Sequence, residues 1–413
     1  MIRTKKMVLD NGVTLLLVPD KSKNRTYAKV LVDFGGVYKR YKVDGVIYDI
    51  IPGVAHMLEH SIIENSMYGN SSRYFSDRYV SSNGVTNWFK TSYYISTVSN
   101  FYVHLEELLN IVNLPLFDMD IDKIKGPIYE EALESVSYDS YDYTVLYNEC
   151  VYGCGYVNVV GSKEDIDKIS NEDLERVHKV FYKPSNQVIM ISGNFDVDMV
   201  VKVIKGAYDR YNWECIDYEL LDCDYSSSIM CRRKTLVKKE GFDVVTFAIK
   251  ISIDKFSPIE RVKAYYYLPC FLRYNFDDNS LNFKEVVDNN YSINSISFRI
   301  DKIFLDTLVI NIELQTRNAD WFSSMVIDTL DKRCLSCEYF SLEKKKWLIS
   351  YIRNSGDVNY IFNMFVFNSL YLSYDDVIDI SFFDNLNYLE CMDILGRLDF
   401  SNYAVLNMVK EDF

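Results

Sequence analysis

Histidine is scarce in this chain, with four in 413 residues. Long apolar runs are missing too: no stretch of 18 apolar residues occurs, so no membrane-spanning helix is expected. Basic residues are in the minority, 45 Lys and Arg against 59 Asp and Glu, for a formal net charge of −14. That balance argues against a nucleic-acid partner, since neutralising phosphates needs a basic surface. A solvated acidic surface is the expectation instead. A second cysteine pair is also missing. The nine cysteines are odd in number and Cys334-Leu-Ser-Cys337 is the one C-x-x-C, which reads as ordinary cytosolic thiols rather than a zinc or redox site. No signal peptide is expected either. In MIRTKKMVLDNGVTLLLVPD the apolar stretch is broken by Asp10, Asn11 and Gly12, the pattern of two strands and a turn, and a cytoplasmic location follows as the expectation. What is present is ordinary globular composition, 48% hydrophobic and 25% charged. It provides for a large core, in a length that implies two or three domains.

Two of the four histidines fall in one pentapeptide, His56-Met57-Leu58-Glu59-His60. On a helix, positions i and i+4 share a face, so both imidazoles can reach one metal ion. Glu59 projects from the same face. The pattern H-x-x-E-H inverts the H-E-x-x-H zinc signature and is that of the inverzincins. Two imidazoles and a carboxylate leave zinc a fourth position for water, whose pKa falls to about 7. Glu59 would be the general base that takes that water's proton. A surface helix with two incidental histidines is the alternative reading.

A third ligand is needed. The segment Lys123 to Ser135 is helix-like after Gly126-Pro127 and offers Glu130, Glu131 and Glu134. Glu131 and Glu134 can share a face, and so can Glu130 and Glu134; spacing alone does not choose among the three.

GVAHMLEHSIIEN, SNGVTNWFKTSYYISTVSN and KGPIYEEALES resemble the inverzincin peptidases of the pitrilysin and insulinase group, in particular small, two-domain bacterial members. The resemblance extends over nearly the whole chain, including the helix from Asn171 and the strand QVIMISGNFD after it. It implies an α+β fold of two homologous α/β-sandwich domains, each a mixed, mainly antiparallel sheet with packed helices, in a duplicated half-clamshell. It implies one zinc ion per chain and puts the third ligand at Glu131, 71 residues past His60. The family's acidic residue seven positions earlier is Ile124 here. The stretch Val85 to Thr97, mixing β-branched and aromatic residues, reads as a strand. In the family that strand borders the zinc cleft and receives the peptide as an added strand, so Thr86, Asn87 and Trp88 are the expected substrate contacts. The family's Arg and Tyr, which hold substrate carbonyls and the developing oxyanion, correspond to Lys284 and Tyr291. Lysine there is a point charge without the guanidinium fork. His104 and His178 are read as packing or surface residues.

The chain also reads as a repeat. Residues 1–215 form the expected zinc-binding domain, the polar stretch 216–233 a linker, and 234–413 a homologous second domain without histidine and so without a metal site. The resulting expectation is a zinc-dependent endopeptidase for peptides or unfolded segments, with removal of leader peptides from ribosomally made, modified peptides as a specialisation. It would work as a homodimer or with a homologous peptidase-like subunit. Two rival readings are a non-catalytic subunit that binds peptide or scaffolds an active partner, and a metal-dependent hydrolase of a non-peptide substrate.

Overall fold

The computed structural model describes residues 4–118, 120–137, 141–153, 159–211, 213–214, 216–223, 226, 228–239, 243–277, 280, 284, 296–304, 307–375 and 378–411. Its principal helices, in chain order, are α1 (Val54–Glu64), α2 (Phe101–Asn113), α3 (Asp122–Ser137), α4 (Tyr141–Tyr152), α5 (Asn171–Phe181), α6 (Val197–Tyr208), α7 (Pro258–Phe276), α8 (Ala319–Lys332), α9 (Cys337–Asn354) and α10 (Tyr388–Arg397).

The chain groups into two compact units. The first comprises Met1–Tyr141, Val157–Asp224 and Asp357–Phe362; the second comprises Asp142–Tyr156, Tyr225–Gly356 and Asn363–Phe413. Each therefore incorporates a piece of chain from the other's stretch of sequence, a departure from the linear division at 215 and 234. The departure has a physical basis in the second unit. Helix α4 follows directly on α3 in sequence, yet Tyr147 donates a hydrogen bond to Asn311 at 2.7 Å and Tyr143 bonds Thr246.

In the first unit, β1 (Lys5–Val8), β2 (Thr14–Pro19), β3 (Thr26–Val32), β6 (Ser81–Thr86), β7 (Thr91–Thr97) and β8 (Gln187–Gly193) form one sheet in the order β1-β2-β8-β3-β7-β6. The hairpin of β4 (Tyr38–Val43) and β5 (Val46–Asp49) is completed by β9 (Glu219–Cys223) in a second, three-stranded sheet. Strand β9 lies inside the stretch expected to be a linker. Its polar, aperiodic sequence hides it because edge pairing with β4, rather than burial, makes it a strand.

The expected turn at Asp10 to Gly12 is there: β1 and β2 pair antiparallel, with Val8 opposite Thr14. Alternation along the sheet sends Ala28, Val30 and Val32 of β3 and Ile189 and Ile191 of β8 into the core, each valine and isoleucine contributing about 1.5–3 kcal/mol by burial. Leu174, Val177 and Val180 bring α5 onto this core, as their helical spacing predicts. A capping box at Ser170 starts that helix, the serine hydroxyl and Asp173 satisfying each other's backbone amides.

In the second unit, β10 (Arg233–Lys238), β11 (Val244–Ser252), β12 (Ile296–Phe304), β13 (Thr307–Leu314) and β14 (Tyr403–Lys410) form a five-stranded sheet in the order β10-β14-β11-β13-β12. Strands β12 and β13 pair antiparallel, and NYAVLNMV forms β14. Each unit thus has a mixed, mainly antiparallel sheet with packed helices, the expected class.

Candidate metal centre

Helix α1 starts at Gly53, whose left-handed backbone (φ 87°) turns the chain into the helix. A β-carbon there would lie 2.3 Å from the carbonyl oxygen of Val160, so glycine is required both by conformation and by close approach. Val54, Ala55, Met57, Leu58 and Ile62 are buried and fix the rotation of the helix. His56, Glu59 and His60 are thereby presented where α1 packs on β6 and α3.

Glu131 on α3 meets them. Its Oε2 lies 3.4 Å from His56 Nε2 and its Oε1 lies 3.8 Å from His60 Nε2. The two imidazoles stand edge to face, ring centres 4.6 Å apart. One donor atom from each of the three residues can be chosen so that all lie within 4.8 Å of one another. Zinc bonded at about 2.0–2.2 Å in a tetrahedron separates its ligand atoms by roughly 3.3–3.6 Å, close to the spacing here. Among the described residues this is the one such group of His, Cys, Asp and Glu side chains, and no lysine or arginine there pairs with Glu131. Burial, helped by the neighbouring His60, pushes the pKa of His56 down to about 4, which keeps the ring neutral with a lone pair to offer. The donor set and its spacing fit a zinc ion. One feature is atypical: His56 Nδ1 is buried without a hydrogen-bond partner, whereas a zinc-binding imidazole usually passes its outer N–H to a carbonyl or carboxylate.

Glu59 points toward β6. Thr86 Oγ1 donates a hydrogen bond of 2.6 Å to its Oε2. A β-carbon on Gly84 would come within 2.5 Å of its Oε1, so only glycine lets the carboxylate lie against the strand. Burial raises the pKa of Glu59 to about 7; the Thr86 bond opposes that rise and the charge of Glu131 adds to it. Behind it, the hydroxyls of Tyr93 and Tyr182 are buried and bonded to each other at 2.9 Å. A carboxylate poised near neutrality beside a three-ligand group is suited to taking and returning a proton.

Glu131 is therefore the acidic residue of α3 that joins the histidines; Glu130 and Glu134 are exposed and stand outside the group. The helix also starts earlier than its Gly-Pro pair suggests. It runs from Asp122 with Pro127 inside, because a proline just past the first turn removes only one amide bond and the helix is held by buried Ile124, Ile128 and Ala132. Ile124, the departure from the family's acidic position, is a core residue.

The stretch Val85 to Thr97 is not one strand. Residues 87–90 form a tight turn between β6 and β7, Asn87 Oδ1 accepting from the amides of Phe89 and Lys90 at 2.9 Å. Asparagine supplies this turn through its side chain, in a stretch with no proline or glycine to mark it. Asn87 is exposed and Trp88 half-buried at that turn, and their carbonyls accept from Gly36 and Val37. Thr86 ends β6, its hydroxyl bonded to Glu59. Lys284 is exposed and helical in the second unit; Tyr291 lies outside the described residues. His178 is buried, bonded to the Val112 carbonyl at 3.0 Å, and His104 is buried against Glu107 at 2.8 Å, so both are packing residues. Sequence reasoning missed Gly84 and the work of Thr86. The Asn83-Gly84 pair reads locally as a turn, and nothing in the sequence indicates that its missing β-carbon makes room for Glu59.

Comparisons with known proteins bear on this architecture. A family model described as the Peptidase M16 inactive domain matches residues 168–247. The uncharacterized zinc protease YmfH of Bacillus subtilis is 28% identical over 204 residues, 48% of this chain and 47% of that relative. The chain thus matches about half the length of this curated relative. A solved chain from Alicyclobacillus acidocaldarius, described as an M16-like peptidase, superposes with a TM-score of 0.80 at 19% identity, covering 99% of both. Pitrilysin superposes with a TM-score of 0.70 at 15% identity, over 99% of this chain and 45% of that one. Relatedness in sequence to a zinc protease and a fold shared with M16 peptidases carry the same message: the chain resembles the pitrilysin-type zinc metallopeptidases.

Proposed function

We propose that this chain is a zinc-dependent endopeptidase acting on peptides or unfolded segments. The observation that carries the reading is the convergence of His56, His60 and Glu131 beside Glu59, next to a sheet edge. Among the described residues, strand β6 pairs with β7 alone and lies at the edge of its sheet. An extended peptide laid along that edge would gain main-chain hydrogen bonds independent of its sequence, with its backbone close to Glu59. His56, His60 and Glu131 would hold the ion. A bound zinc ion supplies Lewis acidity and favours ionisation of water near neutral pH. Glu59 accepts the proton of the attacking water and passes it to the leaving amine, which its near-neutral pKa allows. Thr86 holds the carboxylate in place.

The reading extends to assembly and substrate. Pitrilysin is about twice as long as the part this chain matches, which supports a second copy or a homologous subunit completing the enclosure of the site. Removal of leader peptides from ribosomally made, modified peptides suits a site that accepts flexible chains, in the cytoplasm. Elemental analysis and turnover of a quenched peptide by wild type and Glu59→Gln test the core of the proposal. The variant should keep about one zinc per chain and lose turnover by about 10²–10⁴-fold; near-normal cleavage would remove Glu59 from the mechanism. A second reading, a non-catalytic peptide-binding subunit, draws support from the matched family model being described as an inactive domain. It predicts wild type and variant alike in showing no turnover while both bind peptide.

A further inference from the structure

Two cysteines far apart in sequence meet in the second unit. Cys150 lies at the end of α4 and Cys231 just before β10. The Cys150 carbonyl accepts from the amides of Met230 at 2.9 Å and Cys231 at 3.4 Å, and the Cys231 thiol donates to the Arg233 carbonyl at 3.2 Å. Cys150 is buried and Cys231 half-exposed. A cation stands beside them: Lys234 on β10 pairs with Glu149 at 3.1 Å and its charge acts on both sulfurs.

We propose that Cys150 and Cys231 are a redox-sensitive dithiol that a small-molecule disulfide converts into an intramolecular disulfide. A disulfide requires two Sγ atoms at about 2.05 Å on α-carbons about 4.4–6.8 Å apart; two cysteines already joined by a backbone hydrogen bond need only side-chain rotation and a small shift. The exposed partner reacts first. The Cys231 thiolate attacks one sulfur of the reagent, forming a mixed disulfide and expelling one thiolate, which takes up the proton Cys231 lost. Cys150 then attacks the Cys231 sulfur, the protein disulfide forms, and the second reagent thiol leaves with the proton of Cys150. Two protein thiols are oxidised and one reagent disulfide is reduced to two thiols. Burial and the contact with Cys231 push the Cys150 thiol up to about 12, which suits a resolving rather than an initiating sulfur. The exposed pair Cys334 and Cys337 is an internal reference in the same chain.

The test treats the reduced full chain with oxidised glutathione, quenches with N-ethylmaleimide and maps the peptides by mass spectrometry. Wild type should yield a Cys150–Cys231 cross-linked peptide without a lasting adduct on Cys231. Cys150→Ala should instead accumulate glutathione on Cys231. The wild-type map alone decides the matter if a variant does not fold. Both cysteines recovered as maleimide adducts after Cys334 has reacted, or a stable glutathione adduct on Cys231 of wild type, would overturn the proposal.

Discussion

The two units carry the same five strands in the same arrangement and use them differently. In the first, β2-β8-β3-β7-β6, and in the second, β10-β14-β11-β13-β12, the first two strands are parallel and every later neighbour is antiparallel. Helix α1 follows β3 by way of the β4–β5 hairpin and is separated from β6 by a short helix at Ser71–Ser76, and α7 lies between β11 and β12 at the corresponding place. The polar side chains those helices turn inward differ in one respect. On α7, Arg273 binds buried Glu343 of α9 through Nη2 at 2.8 Å and Nε at 3.1 Å, and Lys263 and Tyr267 bind Glu390 of α10. On α1, two imidazoles face Glu131 of α3 and no lysine or arginine among the described residues answers its charge. The lesson is local. A helix–helix contact bearing a carboxylate is complete when a guanidinium faces it and open to a cation when imidazoles do.

The largest effect that can break this comparison is on metal. His56→Ala should bring zinc from about one per chain to none by elemental analysis, whereas Arg273→Leu should leave zinc unchanged. With zinc at 1,000 times its dissociation constant, chelation should lower stability by about 4 kcal/mol. Equal zinc content in the His56→Ala and wild-type chains would show that the trio is not a ligand set.

Next comes the ion pair of the second unit. Arg273→Leu leaves buried Glu343, among the described residues, with Lys346 as its one remaining ion-pair partner and should cost about 3 kcal/mol in chemical denaturation. Peptide turnover should not follow that loss. A variant as stable as wild type would mean that the pair merely fills space.

The units should also part company in acid, because all four histidines lie in the first. Burial holds the pKa of His178 down to about 4 against an ordinary value of 6.5. Above pH 6.5 the ring is neutral in both folded and unfolded chains and the fold has its full stability. Below it the unfolded chain takes up a proton that the folded one refuses, so stability falls as pH drops from 6.5 toward 4, by up to about 3 kcal/mol. His178→Gln keeps a donor for the Val112 carbonyl and should flatten that part of the stability–pH curve. An unchanged slope would place the acid sensitivity elsewhere.

The smallest expected effect concerns Thr86. Its hydrogen bond opposes the upward pull of burial on Glu59, so Thr86→Val should move the acid limb of the turnover profile up by about one pH unit, the equivalent of about 1.4 kcal/mol. A limb that does not move would reduce Thr86 to a packing residue.

What was legible in the sequence follows the range of the interaction that decides it. The HMLEH spacing, the β1–β2 turn, the apolar face of α5 and the repeat of strand and helix order are set by residues a few positions apart, and they stand as read. The turn at Asn87 was hidden although local, because an asparagine side chain rather than glycine or proline makes it.

The sequence by itself determined that two imidazoles and a carboxylate would share one helix face, since helical periodicity alone places positions 56, 59 and 60 together. It determined also that no second such site could arise in the histidine-free half. Only the tertiary structure decided which of Glu130, Glu131 and Glu134 completes the group, that Gly84 makes room for Glu59, and that Cys150 and Cys231 are joined by a backbone hydrogen bond. Each of these depends on how separate elements pack, where a rotation of one residue about a helix axis or a single missing β-carbon changes the partner, and no local pattern records that choice.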